Sequence, residues 1–109
     1  MRTIEQCAAP PVAMEYAQEV RGRLGSHARQ IILFGSQARG DATERSDYDF
    51  IVIVDQRDRE LRELVSEAGC ALLNHRDALC AALVYDDELW NEVRQSPLGW
   101  NVEREGVAL

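Results

Sequence analysis

The chain contains no lysine. All twelve of its basic residues are arginine, against nineteen aspartates and glutamates, for a formal net charge of −7. That absence excludes a Walker A loop, which needs a lysine after its second glycine. The acidic balance argues against direct nucleic-acid coating, where affinity comes from neutralising phosphates. Long apolar runs are also missing: none approaches the ~20 residues that span a bilayer, so no membrane association is expected. Glu5, Glu15 and Glu19 interrupt the alanine-rich start, and no secretory h-region forms. Cysteine is scarce. Cys7, Cys70 and Cys80 are odd in number and widely spaced, without a CxxC pair, and His27 and His75 stand apart. They read as free thiols in a reducing compartment, not as zinc ligands or a disulfide framework. The expectation is a soluble cytoplasmic protein.

What is present suffices for one core. Hydrophobic residues make up 46% of 109 residues, which excludes a mainly disordered chain and predicts a single domain over residues 1–109. Pro10-Pro11 opens a helix whose apolar stripe is Val12, Tyr16, Val20 and Leu24, with Gly25 as its stop. Gln30 to Phe34 reads as a short buried strand, and Ser36 to Arg39 as a helical turn. Tyr48 to Val54 is a second strand, where FIVIV predicts cover on both faces. Asp58 to about Asn74 carries a helical stripe through Leu61, Leu64, Val65, Ala68 and Leu72. Ala78 to Tyr85 is a third strand, and Asp86-Asp87-Glu88 supplies the acidic first turn of a last helix. Ser96-Pro97 breaks that helix, with one more turn from Leu98 to Glu105. The order predicts an α/β fold, a small mixed β-sheet with helices packed against it. Trp90, Leu98, Trp100 and Val107 near the C-terminus fit either a core-closing tail or an interface.

The chemistry gathers between Phe34 and Val54, FGSQARGDATERSDYDFIVIV. Gly35 lets the backbone come close to a ligand, and Ser36 offers a hydroxyl and an N–H at a helix start, a favourable place for phosphate. Asp47 and Asp49 are two apart at a strand start, so both carboxylates leave one face. Tyr48 then points the other way, into the core. Paired carboxylates on a rigid element suit Mg²⁺, which is bound by one or two carboxylates plus substrate phosphates. Arg39 either reaches a phosphate oxygen or pairs with Asp41 or Glu44. Ser46 reads as a local cap orienting Asp47, and Gln37 as a residue within reach of a nucleotide.

Gly35-Ser36 through Arg39-Gly40, followed by Ser46-Asp47-x-Asp49, resembles the signature of the DNA polymerase β-like nucleotidyltransferases, and most closely their minimal members, the MNT domains. The resemblance extends over the whole chain in length and element order; its specific part is residues 34 to 54. It implies that Gly35 and Ser36 bind the triphosphate of ATP, with Arg39 placed where its guanidinium could join them. It implies equally that Asp47 and Asp49 are catalytic and bind Mg²⁺ for two-metal nucleotidyl transfer. Family members of this size are typically paired with a helical HEPN protein. The resemblance therefore implies an antitoxin that neutralises a HEPN-type RNase toxin, by binding it or by transferring AMP to it. A domain this short is expected to take its acceptor from another chain, and a second copy of itself is the other partner left open.

The family normally carries a third carboxylate on the next strand, at or near Cys80 here, where RDALCAALVY has none. Cys80 is a poor magnesium ligand, since hard cations prefer oxygen. Asp77 lies three residues earlier, an odd offset that should put it on the other face and about 10 Å along the strand unless a bulge intervenes. Three readings follow: a protein adenylyltransferase, a non-catalytic nucleotide- or partner-binding antitoxin module, and a nucleotide-sensing subunit.

Overall fold

A computed structural model describes residues 1–43 and 46–109. Its elements run β1 (Arg2–Thr3), α1 (Pro11–Leu24), a 3₁₀ turn (Gly25–His27), β2 (Ala28–Phe34), α2 (Ser36–Arg39) and β3 (Tyr48–Val54). They continue with α3 (Arg59–Arg76), β4 (Cys80–Asp86), α4 (Asp87–Val93), α5 (Pro97–Glu105) and β5 (Val107–Ala108). The five strands form one mixed sheet in the order β1-β5-β2-β3-β4. β2 lies antiparallel to β3 and β5, whereas β3 and β4 run parallel through the α3 crossover. No helix among the described residues is long and apolar enough to cross a membrane.

Alternation along the strands divides the core between the two faces of the sheet. Ile31, Leu33, Phe50, Val52 and Val54 face α1 and α3, and Tyr16 of α1 stacks on Phe50 with ring centroids 4.0 Å apart. Ile32, Ile51 and Ile53 face the other way, against Trp90 of α4 and Val102 of α5. The FIVIV run is thus covered on both sides, as expected of a central strand. Each of these large apolar side chains contributes roughly 1.5–3 kcal/mol by leaving water. The two tryptophans part company: Trp90 is buried, whereas Trp100 is 62% exposed.

Helix ends follow side-chain capping. Asp58 Oδ1 accepts from the Leu61 N–H at 2.8 Å and Asp86 Oδ1 from the Leu89 N–H at 2.7 Å. These acidic residues therefore stand just outside α3 and α4, where the sequence reading had placed them inside. Ser96-Pro97 both ends α4 and starts α5, with Ser96 Oγ accepting from Gly99 N–H. α3 runs two residues beyond Asn74 and stops where Asp77 turns left-handed at φ 53°. The terminal strands β1 and β5 were not expected: at two residues each they carry no periodicity to read.

Two glycines bracket how tightly this packing constrains the chain. Nothing lies within 4 Å of a Cβ added at Gly22 in α1, but one added at Gly99 would overlap the Val93 carbonyl oxygen and the Arg94 backbone. Gly22→Ala is expected to stabilise the fold by about 0.5–1 kcal/mol through helix propensity. Gly99→Ala should cost about 1–3 kcal/mol or more by overpacking. Urea denaturation of the two variants checks the opposite signs.

Candidate functional site

The site is built where β2 ends beside the start of β3. Phe34 is level with Asp49 across the antiparallel pair, so the residue after Phe34 lies against the Asp49 side chain. That residue is Gly35, at φ 79° and ψ −158°, a conformation open essentially to glycine alone. A Cβ there would stand 2.6 Å from Asp49 Oδ2. The backbone angles require glycine here, and any Cβ would also push the Asp49 carboxylate from its place. Its carbonyl accepts from the Ala38 and Arg39 N–H groups, closing α2, and Gly40 ends the turn in the left-handed region at φ 84°. The first N–H groups of such a turn have no acceptor within it and remain available to an anion.

Several contacts fix α2 against the aspartates. Arg2 donates from Nη2 to the carbonyls of Ala38 (2.7 Å) and Glu105 (3.1 Å). Gln37 Nε2 donates to the Ser46 carbonyl at 3.3 Å, which gives this side chain a main-chain partner in the loop before Asp47. Ser46 Oγ accepts from the Thr43 N–H at 2.9 Å, the local turn closure expected of it. Arg39 donates from Nε to Asp41 (3.2 Å) and from Nη1 to Glu105 (3.1 Å). Of its two anticipated carboxylate partners, Asp41 is used and Glu44 lies outside the described residues. Glu105, whose carboxyl is held below the usual range by Arg39, is far off in sequence and was not anticipated.

Asp47, just before β3, is exposed and Asp49 within it is half-buried, while Tyr48 packs against the α1/α3 core. Burial raises the Asp49 carboxyl above its ordinary value, the neighbouring Asp47 charge raises it further, and Arg39 opposes both. The three side chains therefore share one electrostatic neighbourhood. A hard cation held by Asp47 and Asp49 would relieve that repulsion with the oxygen ligands it prefers, so the donor set fits Mg²⁺. Among the described residues no third histidine, cysteine or carboxylate joins them in a metal-binding group.

The β3–β4 register corrects the position assigned to the missing carboxylate. Tyr48 is level with Cys80 and Asp49 with Ala81, in unbroken parallel pairing to Val54 and Asp86. Level residues share a face, so Cys80 points to the α1/α3 side, away from the aspartates. Burial pushes its thiol up to about 11. Ala81 is the residue that stands beside Asp49. Asp77 is not barred by its face, since its offset was counted from a residue already on the opposite side. It nevertheless precedes the strand, capping α3, and lines a cleft of about 240 Å³ with Ser46 and Asp47.

Two substitutions test this geometry without any ligand. Gly35→Ala should destabilise the protein by about 1–3 kcal/mol, because it strains the backbone and drives a methyl into a carboxylate. Asp49→Asn should raise the thermal midpoint of the metal-free protein at neutral pH. A carboxyl whose folded value is raised opposes folding when ionised, and protonation removes the opposition. The advantage of Asp49→Asn must shrink as pH falls through the folded value of Asp49; thermal melts across the acidic range check this.

Comparison with known proteins identifies the family. A family model described as a nucleotidyltransferase domain matches residues 14–97. A Methanocaldococcus jannaschii protein, MJ0604, provisionally named a protein adenylyltransferase, is 32% identical over 95 residues, covering 87% of this chain and 91% of its own. A second from the same organism, MJ1305, with the same provisional name, is 40% identical over 60 residues, covering 49% of this chain and 41% of its own. Among solved structures, a toxin–antitoxin with AMP-PNP and a mutant of the toxin–antitoxin MntA–HpeT share the fold. Each has a TM-score of 0.58, at 22% and 20% identity, and each match covers 88% of this chain and 70% of the other. The chain belongs to the nucleotidyltransferase domain family.

Proposed function

We propose that the chain transfers AMP from ATP to a hydroxyl of a partner protein, as the antitoxin of a pair whose toxin is a HEPN-type RNase. The observation that carries the reading is the seating of the Asp49 carboxylate directly over Gly35. Glycine-turn amides and metal-binding oxygens then face one small volume, as a metal–triphosphate complex requires. The relatives named protein adenylyltransferases support the reaction type, and the toxin–antitoxin fold neighbours support the kind of assembly.

In this reading Gly35 and the α2 amides hold the triphosphate, with the Ser36 hydroxyl beside them. Arg39 exchanges a carboxylate partner for a phosphate oxygen. Asp47 and Asp49 hold Mg²⁺, which when bound supplies Lewis-acid stabilisation of the phosphate charge. The acceptor oxygen forms a bond to the α-phosphorus as the bond from that phosphorus to the bridging oxygen breaks, and pyrophosphate leaves. With alanine at position 81, no carboxylate stands level with Asp49 to take the hydroxyl proton, which passes to solvent. That same residue favours a second reading, in which the site binds nucleotide and the partner without turnover.

Incubation with α-labelled ATP, Mg²⁺ and the protein encoded by the neighbouring reading frame tests transfer. Label on the partner should be lost in Asp47→Ala and Asp49→Ala and on chelation of the metal. Labelling no greater than in these variants, with neutralisation intact, establishes the second reading. Ala81→Asp should raise the transfer rate by up to about 10²-fold, the lower range for a positioned general base. Cys80→Asp should give no gain, because it buries a carboxylate on the wrong face.

A further inference from the structure

The run from Cys80 to Tyr85, CAALVY, is apolar throughout, the composition of a strand covered on both faces. The fold covers only one of them fully. Cys80, Ala82 and Val84 pack against the α1/α3 core, whereas Ala81 is exposed and Leu83 keeps 42% of its surface open. The register decides which face is bare. Ala81 is level with Asp49 and Leu83 with Ile51, so both lie on the face that carries the Asp49 carboxylate.

Around Asp49 this face is closed on two sides. Phe34, level with it on β2, leads into the Gly35 turn. Further along β3, Ile51 and Ile53 lie under Trp90 and Val102. Tyr85, which follows Leu83 on the same face of β4, joins that cover and stacks near Trp90. The side toward β4 is open: a methyl at position 81 adjoins the carboxylate, and Leu83 lies diagonally beyond it. Strand spacing and rise put Leu83 about 8 Å from Asp49. A single exposed leucine is ordinary on a protein surface. This one is set apart by its place at the open side of the candidate site.

We propose that Ala81 and Leu83 form the acceptor side of the site. The partner protein lays its hydroxyl-bearing side chain over Ala81 and sets an apolar neighbour of that side chain against Leu83. The inference rests on the transfer reading above and adds to it the kind of residue that flanks the modified hydroxyl. Position selects this occupant. The acceptor oxygen must reach the α-phosphorus beside Asp47 and Asp49, and the Gly35 turn is taken by the triphosphate. The helical cover of α4 and α5 closes the far end of β3, so the acceptor enters over β4. A segment that takes this route crosses Leu83 and covers the bare face.

Steady-state labelling with α-labelled ATP, Mg²⁺ and the protein encoded by the neighbouring reading frame tests the assignment. Acceptor and ATP are varied in turn, and circular dichroism melts confirm folding. Leu83→Asn should raise the KM for the acceptor about 10-fold, the scale of one buried apolar anchor, with kcat and the KM for ATP little changed. Leu83→Met should keep the wild-type KM, a rescue and a split that a merely structural role does not give. An acceptor KM unmoved by Leu83→Asn overturns the proposal and leaves the transfer reading standing. No label on the partner of the wild-type chain overturns both. Self-association of the wild-type chain in sedimentation velocity, lost in Leu83→Asn, gives the bare face to a second copy and overturns the proposal as well.

Discussion

The site depends on a missing atom. The Asp49 carboxylate reaches into the volume that a Cβ at position 35 would take. The β2–β3 pairing sets this closeness by placing Phe34 level with Asp49. The apolar contacts of both strands lock that register, because a one-residue slip would turn every inward side chain to the wrong face. The core on both sides of FIVIV is therefore what positions the turn against the carboxylates. Chemistry and stability pull in opposite directions at Asp49, whose charge the protein tolerates with only Arg39 in partial compensation.

Much of this was legible in the sequence. The alternation and length of QIILF and FIVIV announced two core strands, and the spacing of Asp47 and Asp49 put both carboxylates on one face. Gly35 was identified for its backbone freedom, though its conflict with Asp49 needed the strand register. That register also decided the third position. Counting back from an acidic helix start came within one residue, and in a strand one residue is the difference between faces. Ala81, not Cys80, is the consequential site. Glu105 as partner of Arg39 was out of reach, since no local pattern links residues so far apart. The short strands β1 and β5 were invisible for a different reason: pairing, not propensity, makes them strands.

The fold divides its duties between the two ends of β3. Its N-terminal end carries Asp49, with Asp47 just before it, beside the glycine turn that follows β2. Its C-terminal end runs under α4, whose Trp90 stacks near Tyr85. The C-terminal segment serves both: α5 covers Ile32 and Ile51 through Val102, and its last residue, Glu105, reaches back to the turn.

That reach has a further consequence. Arg39 is a long side chain with many rotamers, and immobilising such a group on binding ordinarily costs about 0.5–1.5 kcal/mol. Here Asp41 and Glu105 already hold the guanidinium extended beside the turn. In the proposed function, an anion at α2 would exchange one carboxylate partner of Arg39 for another negative group, and part of the ordering cost would already fall at folding. Glu105 belongs to the final turn of α5, so the side chain that orders Arg39 comes from the far end of the chain.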